Sequence, residues 1–437
     1  MTPYPSHCEL CDARIGSAKQ WREHAAGRRH RERTARGVSR ASSQWNLIAG
    51  SDTPDESERD VTLSNEISAL CVPAPSREVL LYYKYVDVAA VDDLCAWQRK
   101  LCSELKLRGR IHIGREGLNG TVGGDARATS LYCTAMVRHA RWGALFEDMP
   151  FKRSSAPPAP APRSFPGLFV RVCEEIIALG IPPSELSWRD SSAHLTPREF
   201  HALLLAHRRR GGGSGDGGGD ASDGGAACYD GLVLLDVRNH FESEIGRFDG
   251  AMRAPTRTFE GFPRFADEII ARFALARGRR TASVGGEVPA AAVAARGPLP
   301  RAPKVAMYCT GGIRCERASA YLRSKGVNTI YQLKGGIHEY CRELGAGLPV
   351  ASESLFRGRN FVFDRRLATP PVGGGTQPLI GRCRSCAAPA DAFDVSVVCA
   401  ACAALVLLCP ACIASRARAG SGATTLRCAL CSPTTAT

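Results

Sequence analysis

No stretch of about 18 apolar residues occurs in the 437-residue chain, so nothing in it reads as a membrane-spanning helix. No basic segment followed by an apolar one opens it either, which removes a secretory signal and makes cytosol or nucleus the expected location. A dinucleotide glycine fingerprint is missing, as is a set of two His and a carboxylate suited to iron. No NAD, flavin or iron cofactor is therefore expected. Acidic charge is in deficit: 43 Asp and Glu stand against 57 Lys and Arg, a formal charge of +14. That surplus favours a polyanionic partner such as nucleic acid.

Cysteine is plentiful. Ten of the 19 Cys fall into five Cys-x2-Cys pairs, a spacing suited to thiolate-bound Zn2+ in a reducing compartment rather than to secreted disulfides. Cys8 and Cys11, followed by His24 and His30, have the ligand types and spacing of a C2H2 zinc finger over residues 5–35. The finger spacing resembles that of matrin or U1-like fingers, several of which bind RNA. Between Arg14 and Arg40 nine Arg or Lys face only Glu23 and Glu32. Arg28, Arg29, Arg31 and Arg33 are candidate phosphate contacts. Cys383, Cys386, Cys399, Cys402, Cys409, Cys412, Cys428 and Cys431 form four knuckles in a tail over 380–433, enough for two all-Cys zinc sites. Which pairs share a metal is not set by spacing. With the finger this makes about three structural Zn2+ sites, none with an open position for water.

Between finger and tail the chain alternates ordered and low-complexity stretches. Residues 41–76 read as a linker rich in Ser, Asp and Glu. A strand at Val79–Val86, a helix at Asp92–Leu105, a strand at Arg110–Ile113, a glycine-rich turn and a helix at Ala126–Arg138 predict an α+β ferredoxin-like unit over 77–180. Arg115, Glu116 and Asn119 in the turn either bind substrate or fix the turn. Lys152–Arg163 reads as an irregular Pro/Ala insert, and 211–225 and 279–300 as flexible inserts. A second unit, over 228–347, is predicted as a three-layer α/β domain with strands at Leu232–Leu235, Val305–Tyr308 and Thr329–Leu333 and a helix at Phe259–Phe273.

That unit holds the stretch on which the functional reading rests. An apolar strand delivers Cys309 into a turn of Thr310, Gly311 and Gly312, with Arg314 and Cys315 beyond and a helix expected from Glu316 to Ser324. Backbone N–H groups at such a helix start can hold an anion and, with Arg314, lower the pKa of a thiol. Asp236 and Arg238, at the end of a neighbouring strand, are either site residues or a structural ion pair.

The segment YCTGGIRCERAS at 308–319 resembles the signature of the rhodanese-fold tRNA uridine hydroxylases of bacteria and their eukaryotic rhodanese-domain relatives. The resemblance continues through GREGLNGTVGG at 114–124, DVRNHFESEIGRF at 236–248 and YQLKGGIHEY at 331–340. It implies a ferredoxin-like or acylphosphatase-like domain ahead of a rhodanese domain, and oxygen-dependent formation of 5-hydroxyuridine at the tRNA wobble position. Carried onto this chain, it makes Cys309 the essential thiol and Arg314 the residue that closes its loop, and puts Asp236 and Arg238 in the rhodanese Asp-x-Arg element. Cys315 either resolves a persulfide or disulfide or points into the helix core. Three functions follow: uridine hydroxylation with O2 as co-substrate, sulfur transfer through a Cys309 persulfide, or a zinc-dependent RNA-binding adaptor without catalysis.

Overall fold

The computed structural model describes residues 7–8, 13–14, 76–158, 161, 163–208, 231–282, 304–345, 354–369, 379–419 and 425–432. Near the N-terminus His7–Cys8 (β1) and Ala13–Arg14 (β2) pair antiparallel. The remaining finger positions Cys11, His24 and His30, the basic residues Arg28, Arg29, Arg31 and Arg33, and nearly all of the 41–76 linker lie outside the described residues. So do the 211–225 run and most of the 279–300 insert.

Alternation of apolar side chains builds the first unit. Its elements are Arg77–Tyr85 (β3), Val91–Glu104 (α1), Arg108–Gly114 (β4), Gly117–Asp125 (β5), Ala126–Arg138 (α2), Gly143–Phe146 (α3), Lys152–Ala156 (β6) and Leu168–Val172 (β7). The sheet order is β6-β3-β5-β4-β7, antiparallel except for the parallel β4–β7 pair. Leu80 and Tyr82 of β3 share one core with Ile111, Ile113, Leu118 and Val122 and with Leu94, Tyr132 and Met136 of the helices. The opposite face of β3, carrying Leu81, Tyr83 and Tyr85, turns to the second unit. The reading of Lys152–Arg163 as irregular is corrected here, because Lys152 pairs with Leu81 and Ala156 with Arg77 in an edge strand. Pro157 and Pro158, which cannot donate to a ladder, end it.

The second unit contains Ala193–Leu195 (β8), Pro197–His207 (α4), Leu232–Asp236 (β9), His240–Glu244 (α5), Gly246–Phe248 (β10), Met252–Arg253 (β11), Phe262–Ala282 (α6), Lys304–Tyr308 (β12), Ile313–Ser324 (α7), Ile330–Leu333 (β13) and Gly336–Gly345 (α8). Five of its strands form an all-parallel sheet in the order β11-β9-β12-β13-β8. All of β9 is buried, as a strand covered on both faces must be. Val233, Leu235, Val305 and Met307 pack towards α6 and α7; Leu232, Leu234, Ala306 and Tyr308 pack towards α4 and α8. These are the three expected layers. The unit starts earlier than the expected residue 228, because β8 and α4 precede the glycine-rich run. That run interrupts the domain rather than bounding it. Thr196 and Glu199 form a capping box that starts α4 at Pro197.

The tail folds back on this unit. Phe356–Gly358 (β14) pairs with β10, and Asn360–Phe361 (β15) pairs with Ala368–Thr369 (β16). Pro410–Ala419 is the last helix, α9. Phe241 and Ile245 share a core with Phe361, Phe393, Leu405 and Leu407, which locks the tail to α5. No helix among the described residues is long and apolar enough to cross a membrane.

Candidate active site and metal centres

The sulfur site begins where β12 ends. After Tyr308 the chain turns through Cys309 to Gly312 and enters α7 at Ile313, three residues before the expected start at Glu316. Gly312 has φ +105°, a left-handed conformation that favours glycine, and its N–H donates to Cys309 Sγ at 3.1 Å. Gly336 packs underneath at φ +65°, where a Cβ would lie 2.5 Å from the Cys309 carbonyl oxygen. The first turn of α8 fixes the loop further, with the N–H groups of Ile337 and His338 donating to Cys309 O and Thr310 O at 2.9 and 3.0 Å.

Burial of Cys309 opposes its ionisation. The Cys315 thiol, which donates to it, the Arg314 charge and the N–H groups of Arg314 and Gly312 outweigh that penalty and bring Cys309 down to about 5. Burial, and the proton it shares with Cys309, push Cys315 well above the usual thiol value. The pair is thus one thiolate and one thiol. Because the native value lies below the ordinary 9.0, the thiolate stabilises the fold fully above about pH 9, and this contribution is lost as pH falls towards 5. Its chemical consequence is testable: iodoacetamide labelling of Cys309, normalised to its plateau, is expected to show a midpoint near pH 5 to 6. A midpoint at the ordinary thiol value would show that the loop does not stabilise the anion.

Arg314 is itself held. Its Nη1 and Nη2 donate to Glu242 Oε1 and Oε2 at 2.5 and 2.8 Å, and Nη2 also reaches Thr310 Oγ1 at 3.2 Å. Both side chains are buried. Glu242 comes from α5, where it also accepts the Asn239 N–H at 3.0 Å in a capping box. The next charged residues of α7 are tied elsewhere. Glu316 accepts from Tyr83 Oη at 3.2 Å and Gln332 Nε2 at 3.2 Å, and its Oε1 lies 2.9 Å from His194 Nε2. Fully buried Arg317 donates to Leu186 O at 2.6 Å and lies 3.3 and 3.4 Å from Glu116 and Glu175.

Asp236 and Arg238 sit behind this centre, not on the sulfur. Arg238 Nε and Nη2 donate to the two Asp236 oxygens at 2.9 and 2.6 Å, and Nη2 also donates to Gly246 O at 2.6 Å. Tyr308 Oη donates to Asp236 at 2.8 Å, so the pair braces β9 against β12. In the first unit Glu116 accepts the Ile176 N–H and Asn119 donates to Ile176 O, both at 2.9 Å. Those two side chains secure the turn and the domain contact. Arg115 is exposed, and its carbonyl accepts the Val88 N–H. The site residues that spacing did not single out are Glu242, Tyr83 and Glu316. A carboxylate three residues after Asn239 was the one readable signal, and it signals a helix cap as well.

The tail cysteines form two clusters: Cys383, Cys386, Cys409 and Cys412 in one, Cys399, Cys402, Cys428 and Cys431 in the other. First pair joins third, and second joins fourth, an interleaved arrangement. The Cys386–Cys409 and Cys402–Cys428 sulfurs are 3.6 and 3.7 Å apart. A tetrahedron with Zn–S bonds of about 2.3 Å has edges of about 3.8 Å, whereas a disulfide needs about 2.05 Å. The donor sets fit zinc. From the α/β unit, Arg257 Nη2 reaches Leu430 O at 3.0 Å and Cys431 Sγ at 3.2 Å.

Three family models match successive parts of this architecture: the UPF0176 acylphosphatase-like domain at 77–176, the rhodanese-like domain at 225–343 and the rhodanese C-terminal region at 357–433. A tRNA uridine(34) hydroxylase of Corynebacterium diphtheriae is 31% identical over 352 residues, covering 79% of this chain and 93% of that one. The chain belongs to the rhodanese-like family of the tRNA uridine(34) hydroxylases. A cyanobacterial hydroxylase, from Synechococcus elongatus, is also 31% identical, over 66% of this chain and 83% of its own length. Rhodanese-like domain-containing protein 6 of Arabidopsis thaliana is 31% identical over 349 residues, and the chain spans 50% of its length. A solution structure of a rhodanese-like domain from Anabaena aligns at 17% identity and TM-score 0.19, over 34% of this chain and 73% of that one. The matched family regions contain the Cys309 loop and both tail clusters, while the N-terminal finger segment precedes them.

Proposed function

We propose that this chain hydroxylates C5 of the wobble uridine of tRNA, with the Cys309 thiolate as the group that engages the base. The observation that carries the reading is the sulfur itself: buried, held as an anion by Gly312, Cys315 and Arg314, and seated in a family whose relatives bear that activity in their names. Thiolate addition to C6 of a uracil ring makes C5 electron-rich, the polarity for attack on an electrophilic oxygen. With O2 as the source, one oxygen atom enters C5 and the other leaves as water with two electrons from an external reductant, and loss of the C5 proton then expels Cys309 from C6. Cys309 has no exposed surface, and Leu81 and Tyr83 of the first sheet lie over Gly311 and Gly312. A flipped uridine therefore reaches the sulfur once these two side chains turn aside.

The finer parts of the reading follow from charge and ligand count. Cys8, Cys11, His24 and His30 hold a third structural zinc, and Arg28, Arg29, Arg31 and Arg33 add phosphate contacts to tRNA. All zinc here is structural, and a reducing cytoplasm or nucleus keeps the thiolates free for it. The same N–H cradle also suits the outer sulfur of a persulfide, so sulfur transfer is the reading to be separated from hydroxylation.

Nucleoside mass spectrometry of tRNA from cells lacking the gene makes the separation, with complementation by wild type or Cys309→Ala. The expected result is loss of 5-hydroxyuridine-derived nucleosides, restored by wild type and reduced at least about a hundredfold with C309A, the scale of losing a covalent catalyst. An unchanged profile in cells without a second such enzyme would sink the hydroxylase reading. Full restoration by C309A would leave only the adaptor.

A further inference from the structure

Lys152 is a lysine out of place. It lies on the edge strand β6 of the first unit, yet the residue is only 5% exposed, and its ammonium makes no direct hydrogen bond or ion pair among the described residues. Nζ sits instead over the Tyr83 ring, 5.1 Å from its centre. Tyr83 Oη touches the space beside Gly312, where a Cβ would lie 2.7 Å from it, and Gly312 is the residue whose N–H holds the Cys309 sulfur. On its other side the Lys152 stem lies against Gly335, next to Gly336, on which the Cys309 carbonyl rests. The lysine thus lies against Gly335 and the Tyr83 ring, and the Tyr83 hydroxyl borders Gly312.

A buried ammonium without a hydrogen-bonded partner is unfavourable unless a compensating field is present. The groups facing it are Tyr83 on β3, Cys309 in the loop, Glu316 on α7, and His338 and Glu339 on α8. Burial lowers the lysine to about 8, while Glu339, Cys309 and Glu316 act to keep it charged. His338, half-buried and beside Lys152, is lowered to about 4 by desolvation and by the lysine charge and stays neutral at pH 7, and Arg366 adds to the same effect. Tyr83 is pushed well above its usual range by burial and by Glu316 and Cys309, so it too stays neutral. The ammonium is thus the cation that the first unit brings to the sulfur site, alongside Arg314 from the second.

We propose that Lys152 is a positioning residue for the Cys309 thiolate, delivered across the domain contact, so that the full positive field on the sulfur exists only when the first sheet is seated on the loop. This role rests on the proposed uridine chemistry and gives the acylphosphatase-like domain a part in preparing the nucleophile. Its test reads the sulfur alone, so its outcome is separate from that of the RNA substrate.

The test is iodoacetamide labelling of the full-length protein between pH 4 and pH 9, quantified at Cys309 by peptide mass spectrometry. Cleavage after Arg314 separates Cys309 from Cys315. For Lys152→Met, labelling below pH 5, relative to that protein's own plateau, is expected to fall roughly threefold to tenfold, a rise of half to one unit in the midpoint. Lys152→Arg is expected to restore the wild-type profile, since charge is the required property. A K152M profile that superimposes on wild type would overturn the inference. So would equal shifts in K152M and K152R, which would assign the effect to shape. Lys152→Gln repeats the measurement with a polar end: if K152M fails to fold, a K152Q profile that superimposes on wild type overturns the inference in its place.

Discussion

Glu242→Gln is expected to lower stability by about 3–5 kcal/mol without raising the labelling midpoint of Cys309. The cost arises from Arg314, whose guanidinium is buried and spends two of its donors on that carboxylate. Glutamine keeps the shape but not the charge, and the cation is left in the interior with Thr310 Oγ1 as its remaining hydrogen-bond partner among those described. With domain stabilities of about 5–15 kcal/mol, such a loss is visible in any melting experiment. The thiolate behaves differently. Removing a nearby negative charge cannot disfavour an anion, so its midpoint stays near 5 or falls. Arg314→Met reverses the pattern at the sulfur and raises the midpoint towards 9, because both the charge and its orientation are lost. The double variant R314M/E242Q is expected to be more stable than either single variant, since neither charge is then buried alone. A strictly additive cycle would show that the two side chains do not act as a unit.

The contrast between Glu242 and Cys309 also shows what a one-dimensional reading can reach. Cys309, its glycines and Arg314 are consecutive, so strand, turn and helix start were legible from local chemistry. The carboxylate that holds Arg314 lies 72 positions away, on a five-residue helix whose capping box explains it equally well as a local feature. Lys152 was harder still. Lys-Arg-Ser-Ser-Ala has little strand propensity and runs into two prolines, and only its pairing with β3 makes it a strand. In β8 three residues are recruited to the second sheet from before a long glycine-rich interruption, where sequence neighbourhood is no guide. The tail was legible as ligand types and count. Its pairing was not, because equal spacings permit several partitions of the same eight thiols.

That pairing has its own consequence: the two tail sites should fail together. Cys399 and Cys402 lie within the loop that the first site closes between Cys386 and Cys409, and Cys409 and Cys412 lie within the loop that the second closes between Cys402 and Cys428. The short run joining them serves both. Leu405, Leu407 and Leu408 pack with Cys383 and Cys409, while Val406 packs with Cys399 and Cys428. Cys412→Ser is therefore expected to remove two zinc ions per chain, not one, and to expose the tail to protease. Metal analysis of the wild-type chain should return three ions if the N-terminal finger is loaded, with one surviving in C412S. Retention of a tail zinc in C412S would show the sites to be independent. Each structural zinc contributes on the order of 10–16 kcal/mol in small zinc peptides at pH 7, so the tail core cannot replace it. The damage is expected to travel further. Phe241, adjacent to Glu242 on α5, has its ring centre 6.5 Å from that of Phe393 and 5.3 Å from that of Phe361, in the core that the first zinc site completes. Loosening that core frees α5, and with it the carboxylate that orients Arg314 on the sulfur. Zinc bound far from the chemistry would then be required for the stability of the sulfur loop, and chelation should lower the melting temperature of the α/β unit along with unfolding the tail.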